Sequence, residues 1–337
     1  MKNSQRLCNA LAEEERLKKI GNSMFLNYKQ QNKNSPPFLL LKKQKKKRTK
    51  TYLKIILLIV SSINFFSLKL FSYNPITNDS LELARLYDKL STPQYIQGKE
   101  LIKLLKVTPG SFVLDLGCGT GRLAAYLREL VGPKGWIIGM DPSPYRIEIA
   151  KQKMKKGLSF QLGGSEDLGV FKDNFFDFVY LNSVFYWIRD KETALVEIYR
   201  ILKPGGKLGI TSGYKFENSP LLKIVNEAIM EVMGKEFASG EMNEDSFGKE
   251  DFKELLKESG FLIIHFEQKE YTDYFSSPKE VIQFFKASSN GNLLEDIPQT
   301  KRAFILSKIE TRLERLRSSK GIKIIHWTML AVCQKPL

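Results

Sequence analysis

Phe112-Val-Leu-Asp-Leu-Gly-Cys-Gly-Thr-Gly121 decides the fold. A short apolar run ends in Asp115 and breaks into glycines at alternate positions, Gly117, Gly119 and Gly121. Arg122-Leu-Ala-Ala-Tyr-Leu-Arg-Glu-Leu130 then continues with helical spacing. Glycine has no Cβ, so this turn bends sharply and lets a ligand touch the main chain. The helix behind it presents unpaired N–H groups and a partial positive charge. Strand, glycine turn and helix in this order are where α/β proteins hold adenosine-bearing ligands.

Working outward, helices are expected at 80–90 and 95–105, then the strand 112–116 and a helix at 121–130. A second strand, Trp136–Met140, ends at Asp141, and Pro142-Ser143 opens a helix to about Lys156. Short strands at 159–162 and 176–181 follow. An amphipathic helix at 191–202 stops at Pro204-Gly205-Gly206, before a strand at 207–211. Beyond it, 213–248 reads as helical and polar, 251–259 as helix and 261–266 as strand. Helices near 278–288 and 298–318 precede a last strand at 324–333. Strands alternating with helices imply a doubly wound, mostly parallel sheet. Seven strands are expected, with helical lid insertions roofing the ligand crevice from 213–248 and 270–320.

The formal net charge of +16 is unevenly placed. Residues 1–78 hold 16 Lys and Arg against Glu13, Glu14 and Glu15, whereas the remaining 259 residues are nearly balanced at +3. Nucleic-acid binding rests on phosphate neutralisation, so it is not expected of the 79–337 domain. The tail combines a polar stretch over 1–41, seven basic residues among the nine from Lys42 to Lys50, and fourteen uncharged residues from Ile55 to Leu68. A spanning helix needs about 20 largely apolar residues. Residues 52–73 reach that length if Lys54 and Lys69 snorkel, which makes the segment a candidate membrane anchor. The alternative is a solvated basic run followed by an apolar one. Three cysteines without framework or metal spacing fit a reducing compartment. The expected location is the cytoplasm, or a membrane surface facing it. No metal site is expected.

The motifs resemble class I S-adenosylmethionine-dependent methyltransferases, of the group acting mainly on small molecules. The matching pieces are Val113-Leu-Asp-Leu-Gly-Cys-Gly-Thr-Gly121, Gly139-Met-Asp-Pro-Ser143, Ser165-Glu-Asp-Leu168, Phe176-Asp-Phe-Val-Tyr180 and Tyr199-Arg-Ile-Leu-Lys-Pro-Gly-Gly206. The resemblance implies S-adenosyl-L-methionine as cofactor, S-adenosyl-L-homocysteine as product and a small-molecule substrate. Asp115 with the backbone of Gly117, Gly119 and Gly121 would hold the methionine part, and Asp141 the ribose hydroxyls. Gly164 and Ser165 match the loop over the adenine, and Asn182 the wall of the methyl-transfer cavity. The chain departs from the pattern at Gly164, where an Asp is usual.

No residue is marked as a catalytic base; His326, Tyr186 and Glu166 are candidates, while His265 and His326 otherwise read as structural. Two alternatives remain at this stage. One is a non-catalytic or membrane-tethered module of the same fold. The other is a nicotinamide-dependent oxidoreductase, whose fingerprint requires glycine where Arg122 stands.

Overall fold

The computed structural model describes residues 78–213, 220–234 and 248–337. All fall in the second of two compact units, Tyr73–Leu337. The candidate anchor at 52–73 lies outside the described residues. Among the described residues, no helix is long and apolar enough to cross a membrane.

Five parallel strands build the first part of the sheet: β1 (Phe112–Leu116), β2 (Trp136–Asp141), β3 (Leu158–Leu162), β4 (Phe176–Asn182) and β5 (Leu202–Gly213). Two long antiparallel strands, β6 (Leu262–Phe275) and β8 (Gly321–Gln334), complete it, giving the order β3-β2-β1-β4-β5-β8-β6. A two-residue strand, β7 (Arg317–Ser318), pairs with β8 and makes the eighth. The chain leaves β1 towards β2 and β3, then returns to lay β4 on the other side of β1. The β1/β4 boundary is therefore the switch point, and a crevice opens beyond its strand ends.

Helices flank both faces. α1 (Leu81–Leu90) and α2 (Thr92–Leu105) precede the sheet. The Ser80 hydroxyl caps α1 by accepting from Leu83 N, which satisfies one of the free donors of the first turn. α3 (Arg122–Val131) follows β1, α4 (Pro144–Lys151) follows β2, and α5 (Lys191–Ile201) links β4 to β5. One apolar cluster packs α5 and α7 (Lys249–Glu258) onto the sheet through Leu195, Ile198, Phe252 and Leu256. The opposite face buries Leu101, Ile102 and Leu105 of α2 against Val113, Tyr180 and Val332.

A third cluster joins α6 (Pro220–Met233), α8 (Pro278–Ser288) and α9 (Gln299–Glu314). Leu221, Val225, Ile229 and Phe284 are buried in it and Phe285 is packed against it. These side chains hold the helical layer together.

Several boundaries differ from the sequence expectation. α4 begins at Pro144 rather than at Pro142-Ser143, because Ser143 stays extended and accepts from Arg146 N as the cap. It stops at Lys151 instead of Lys156. β6 runs to Phe275, nine residues past the expected end, so 270–275 belongs to the sheet rather than to a lid. Its charged residues hide the period of two, and pairing with β8 supplies what side-chain pattern does not. β5 starts at Leu202, with a register shift between Phe176 and Phe178 that absorbs the Pro204-Gly205-Gly206 bend.

Candidate functional site

The crevice at the β1/β4 switch point is a cleft of about 350 Å3, open to solvent. Asp115, Gly117 and Cys118 from β1 and its turn form the floor, with Thr120, Arg122 and Leu123 at the start of α3. Asn182 closes one side, and Tyr87, Ser91, Gln94 and Tyr95 of α1 and α2 close the other.

Asp115 is 2% exposed, and its Oδ2 has no hydrogen-bond partner in the protein. The hydroxyl of Tyr180 lies beside it, close enough to steady the charged carboxylate without closing a hydrogen bond of full geometry. Burial pushes the Asp115 carboxyl up to about 7, with the Asp141 charge adding to the effect and Tyr180 and Ala124 N–H opposing it. A buried carboxylate that faces a cleft with a free lone pair is suited to a cationic donor.

The three glycines differ in what they do. Gly117 lines the cleft at φ +77°, and a Cβ there would lie 2.2 Å from Val184 Cγ2. Gly121, at φ +80°, faces away, where a Cβ would press to 2.6 Å of the Phe160 ring. It lets α3 pack closely against β3. Gly119 donates its N–H to Asp141 Oδ2 at 2.8 Å.

Asp141 is also buried. Its other oxygen, Oδ1, accepts from Ser143 N at 2.9 Å, so one carboxylate ties the glycine turn to the start of α4. Burial raises its pKa, and the Arg146 guanidinium works against that rise. Each carboxylate oxygen keeps a second lone pair, so this bracing leaves acceptor capacity for hydroxyl donors.

Behind Asp141 lies a buried network. Asp79 Oδ2 accepts from Ser143 Oγ at 2.7 Å and from Arg146 Nε at 3.2 Å. Arg146 also donates to the carbonyl of Ala287 in α8 at 2.8 Å and stacks its guanidinium 4.2 Å from the Tyr87 ring centroid.

Asn182 is held from two directions. Its Nδ2 donates to Gln94 O at 3.0 Å, and its Oδ1 accepts from Thr211 Oγ1 at 3.0 Å. Gly164 and Ser165 are buried at the start of a 3-10 turn, where Gly164 N donates to Asp167 Oδ2 at 2.8 Å. Asp167 thus occupies the backbone donor of the loop that lacks the usual acidic residue. Among the base candidates, Glu166 is exposed, and burial holds the Tyr186 hydroxyl up at about 12, protonated at neutral pH.

Sequence reasoning missed Tyr87, Ser91, Gln94 and Tyr95. Tyr87 lies in α1, Ser91 at the junction and Gln94 and Tyr95 in the first turn of α2, so the wall they form spans two helices. The sequence carries no local signal that folds this wall over the glycine turn. Arg122 joins them, donating to Ser91 Oγ at 3.1 Å with its guanidinium 4.6 Å from the Tyr95 centroid.

The sequence of residues 114–210 matches the family model described as a methyltransferase domain. The demethylmenaquinone methyltransferase of Oceanobacillus iheyensis is 32% identical over 189 residues, covering 52% of this chain and 78% of that protein. Proteins of the same name from Listeria monocytogenes and Staphylococcus aureus are 31% and 29% identical, with 77% and 83% of their lengths covered. Those alignments span 50% and 56% of this chain. A SAM-dependent methyltransferase structure from Aquifex aeolicus superposes with TM-score 0.41 at 20% identity, covering 58% of this chain and 92% of that one. With the glycine turn at the switch point and this relationship over three quarters of a curated relative's length, the chain belongs to the class I S-adenosylmethionine-dependent methyltransferases.

Proposed function

We propose that this methyltransferase binds S-adenosylmethionine in the β1/β4 cleft and methylates a small ring acceptor of the quinone class in its reduced, hydroxyl-bearing form. The observation that carries the donor assignment is the orphaned Oδ2 of Asp115, buried beside Gly117. The α-ammonium of the donor supplies the cation that this carboxylate lacks. Gly117 allows close main-chain approach, and the free lone pairs of Asp141 suit the ribose hydroxyls. Gly164 and Ser165 would flank the adenine, with Ser165 taking the place of the missing acidic side chain, and Asn182 would border the reacting methyl. The acceptor class comes from the relatives' names and fits the apolar helical layer of α6, α8 and α9.

When bound, the donor supplies an electrophilic methyl on positively charged sulfur. The protein's part is to align the acceptor with it and exclude water, which reduces the barrier through orientation. The nicotinamide alternative falls with the family assignment, and Arg122 occupies the position that its fingerprint reserves for glycine.

Incubation of the full chain with S-adenosylmethionine and 1,4-naphthohydroquinone under argon tests the reading. The expected products are S-adenosylhomocysteine and, after reoxidation, 2-methyl-1,4-naphthoquinone, both identified by mass spectrometry. Binding of S-adenosylhomocysteine without methylation of any hydroxyl-bearing ring would remove the acceptor half. Absence of S-adenosylhomocysteine binding would remove the donor half.

A further inference from the structure

β6 and β8 run past the end of β5. Gly213, the last residue of β5, pairs with Thr328, while β6 and β8 remain paired out to Phe275 and Ile322. His326 stands on this outrun, two residues beyond the last β5 rung. Alternation puts it on the face of Thr328, Leu330 and Val332, and Val332 packs against Leu101 and Leu105 of α2. The cleft is walled by the same helix: Gln94 holds Asn182, and Gln97, three residues on, reaches His326.

The imidazole is held in one orientation. Gln97 Nε2 lies 2.5 Å from His326 Nε2, and Asp273 Oδ2 lies 3.3 Å from His326 Nδ1. An amide nitrogen only donates, so Nε2 carries the lone pair and Nδ1 the proton, directed at the carboxylate. Tyr271 stacks on the ring with centroids 5.7 Å apart and planes 15° apart. Tyr271 in turn donates its hydroxyl to Glu100 Oε2 at 2.7 Å, and Glu100 pairs with Lys269. Along the same face of β8, Ile324 and Ile322 enter the apolar cluster of α6, α8 and α9. The ring therefore sits where a polar wall meets an apolar one, and its side chain is 26% exposed.

Burial lowers the His326 pKa from 6.5 and raises Asp273 to about 6. The titratable groups around the ring are Asp273 and Tyr271 of β6, with Glu100 of α2 and Lys269 behind Tyr271. At neutral pH the imidazole is uncharged, its Nε2 lone pair turned to Gln97.

We infer that His326, oriented by Asp273, is the base that takes the hydroxyl proton of the ring acceptor, and that Gln97 occupies its Nε2 until the acceptor displaces it. The inference rests on the acceptor class proposed above. In the step, the acceptor O–H bond breaks and an N–H bond forms at Nε2. The electron pair left on oxygen delocalises to a ring carbon, which bonds the methyl while sulfur keeps the C–S pair. The proton on that carbon then leaves and the oxygen is reprotonated, so one proton per turnover passes to solvent through the imidazole. The Asp273 carboxylate stabilises the imidazolium formed in between.

The test uses the full chain with 1,4-naphthohydroquinone and compares wild type with His326→Gln and Asp273→Asn. His326→Gln should lower kcat by about 10²- to 10⁴-fold. S-adenosylhomocysteine affinity, measured by calorimetry, should stay within about twofold in both variants, which also reports that they fold. Wild-type kcat should fall along an acid limb lying below the ordinary histidine range, because burial lowers the His326 pKa, and His326→Gln should lack that acid limb. Added imidazole should restore part of the rate of His326→Gly. The inference is overturned if His326→Gln keeps kcat within about threefold of wild type, or if it retains the acid limb. It is equally overturned if both variants lose S-adenosylhomocysteine affinity, because the pair would then be a brace between α2 and β8. A wild type that binds S-adenosylhomocysteine and methylates only amines or carboxylates would overturn the acceptor class together with this base. A variant indistinguishable from an active wild type would overturn the base alone.

Discussion

Asp115 is ionised in the unfolded chain at neutral pH but is held at about 7 in the fold. A group with a raised folded pKa adds stability that is fully present below its unfolded value and is lost as pH rises towards 7. Asp115→Asn should therefore raise the Tm of the ligand-free protein at pH 8, with the advantage narrowing as pH falls towards 4; scanning calorimetry across that range checks it. The same substitution should weaken S-adenosylhomocysteine binding by roughly 10- to 150-fold, from ~1.5–3 kcal/mol for one hydrogen bond to a charged group. Wild-type affinity should decline as pH falls below 7, because the ligand's ammonium then has to displace a proton. An affinity independent of pH between 6 and 8 would count against the assignment. At this scale the sequence shows Asp115 and Gly117 clearly, since strand end and glycine turn are local chemistry. It does not show that Gly121 serves helix packing against Phe160, or that Asp141 braces the Gly119 N–H, because both depend on partners 20 or more residues away.

Elements meet at Arg146. Through Asp79, Ser143, Tyr87 and the Ala287 carbonyl it links the first helices, α4 and α8 around the glycine turn. Arg146→Met leaves Asp79 as a buried charge without its cation, a loss of about 3–5 kcal/mol. The Tm should fall by on the order of 10 °C, and Asp79→Leu in the same chain should recover part of it. A Tm within about 2 °C of wild type would show that the network carries little of the docking of α8. Neither Arg146 nor its partners stand out in the sequence, where Arg146 reads as one more polar helical residue. The strand–helix alternation through β5 was legible because buried parallel strands are short apolar runs between turn residues. β6 was legible only in its first third. Past Phe266 its residues are too polar to give an alternating pattern, and only β8 identifies them as strand.

Over the whole molecule, the balanced charge after residue 78 and the complete set of sheet elements beyond it support one separable domain. A truncated chain of residues 79–337 is expected to express in soluble form and to bind S-adenosylhomocysteine with the affinity of the full chain. Insolubility, or affinity reduced by more than about tenfold, would move the boundary upstream.

The sheet order places β8 between β5 and β6, and this has a consequence for the time course of folding. During synthesis β5 and β6 emerge well before residues 321–334, yet neither can reach the other without them. Until then β5 keeps an open edge, and β6 has no strand to pair with. Open edges recruit other chains, so the nascent domain is most exposed to aggregation just before its last strand arrives. Chains ending at residue 320 should accordingly collect in the insoluble fraction, whereas chains that include β8 should not. Pelleting of matched translation products with and without residues 321–337 measures the difference.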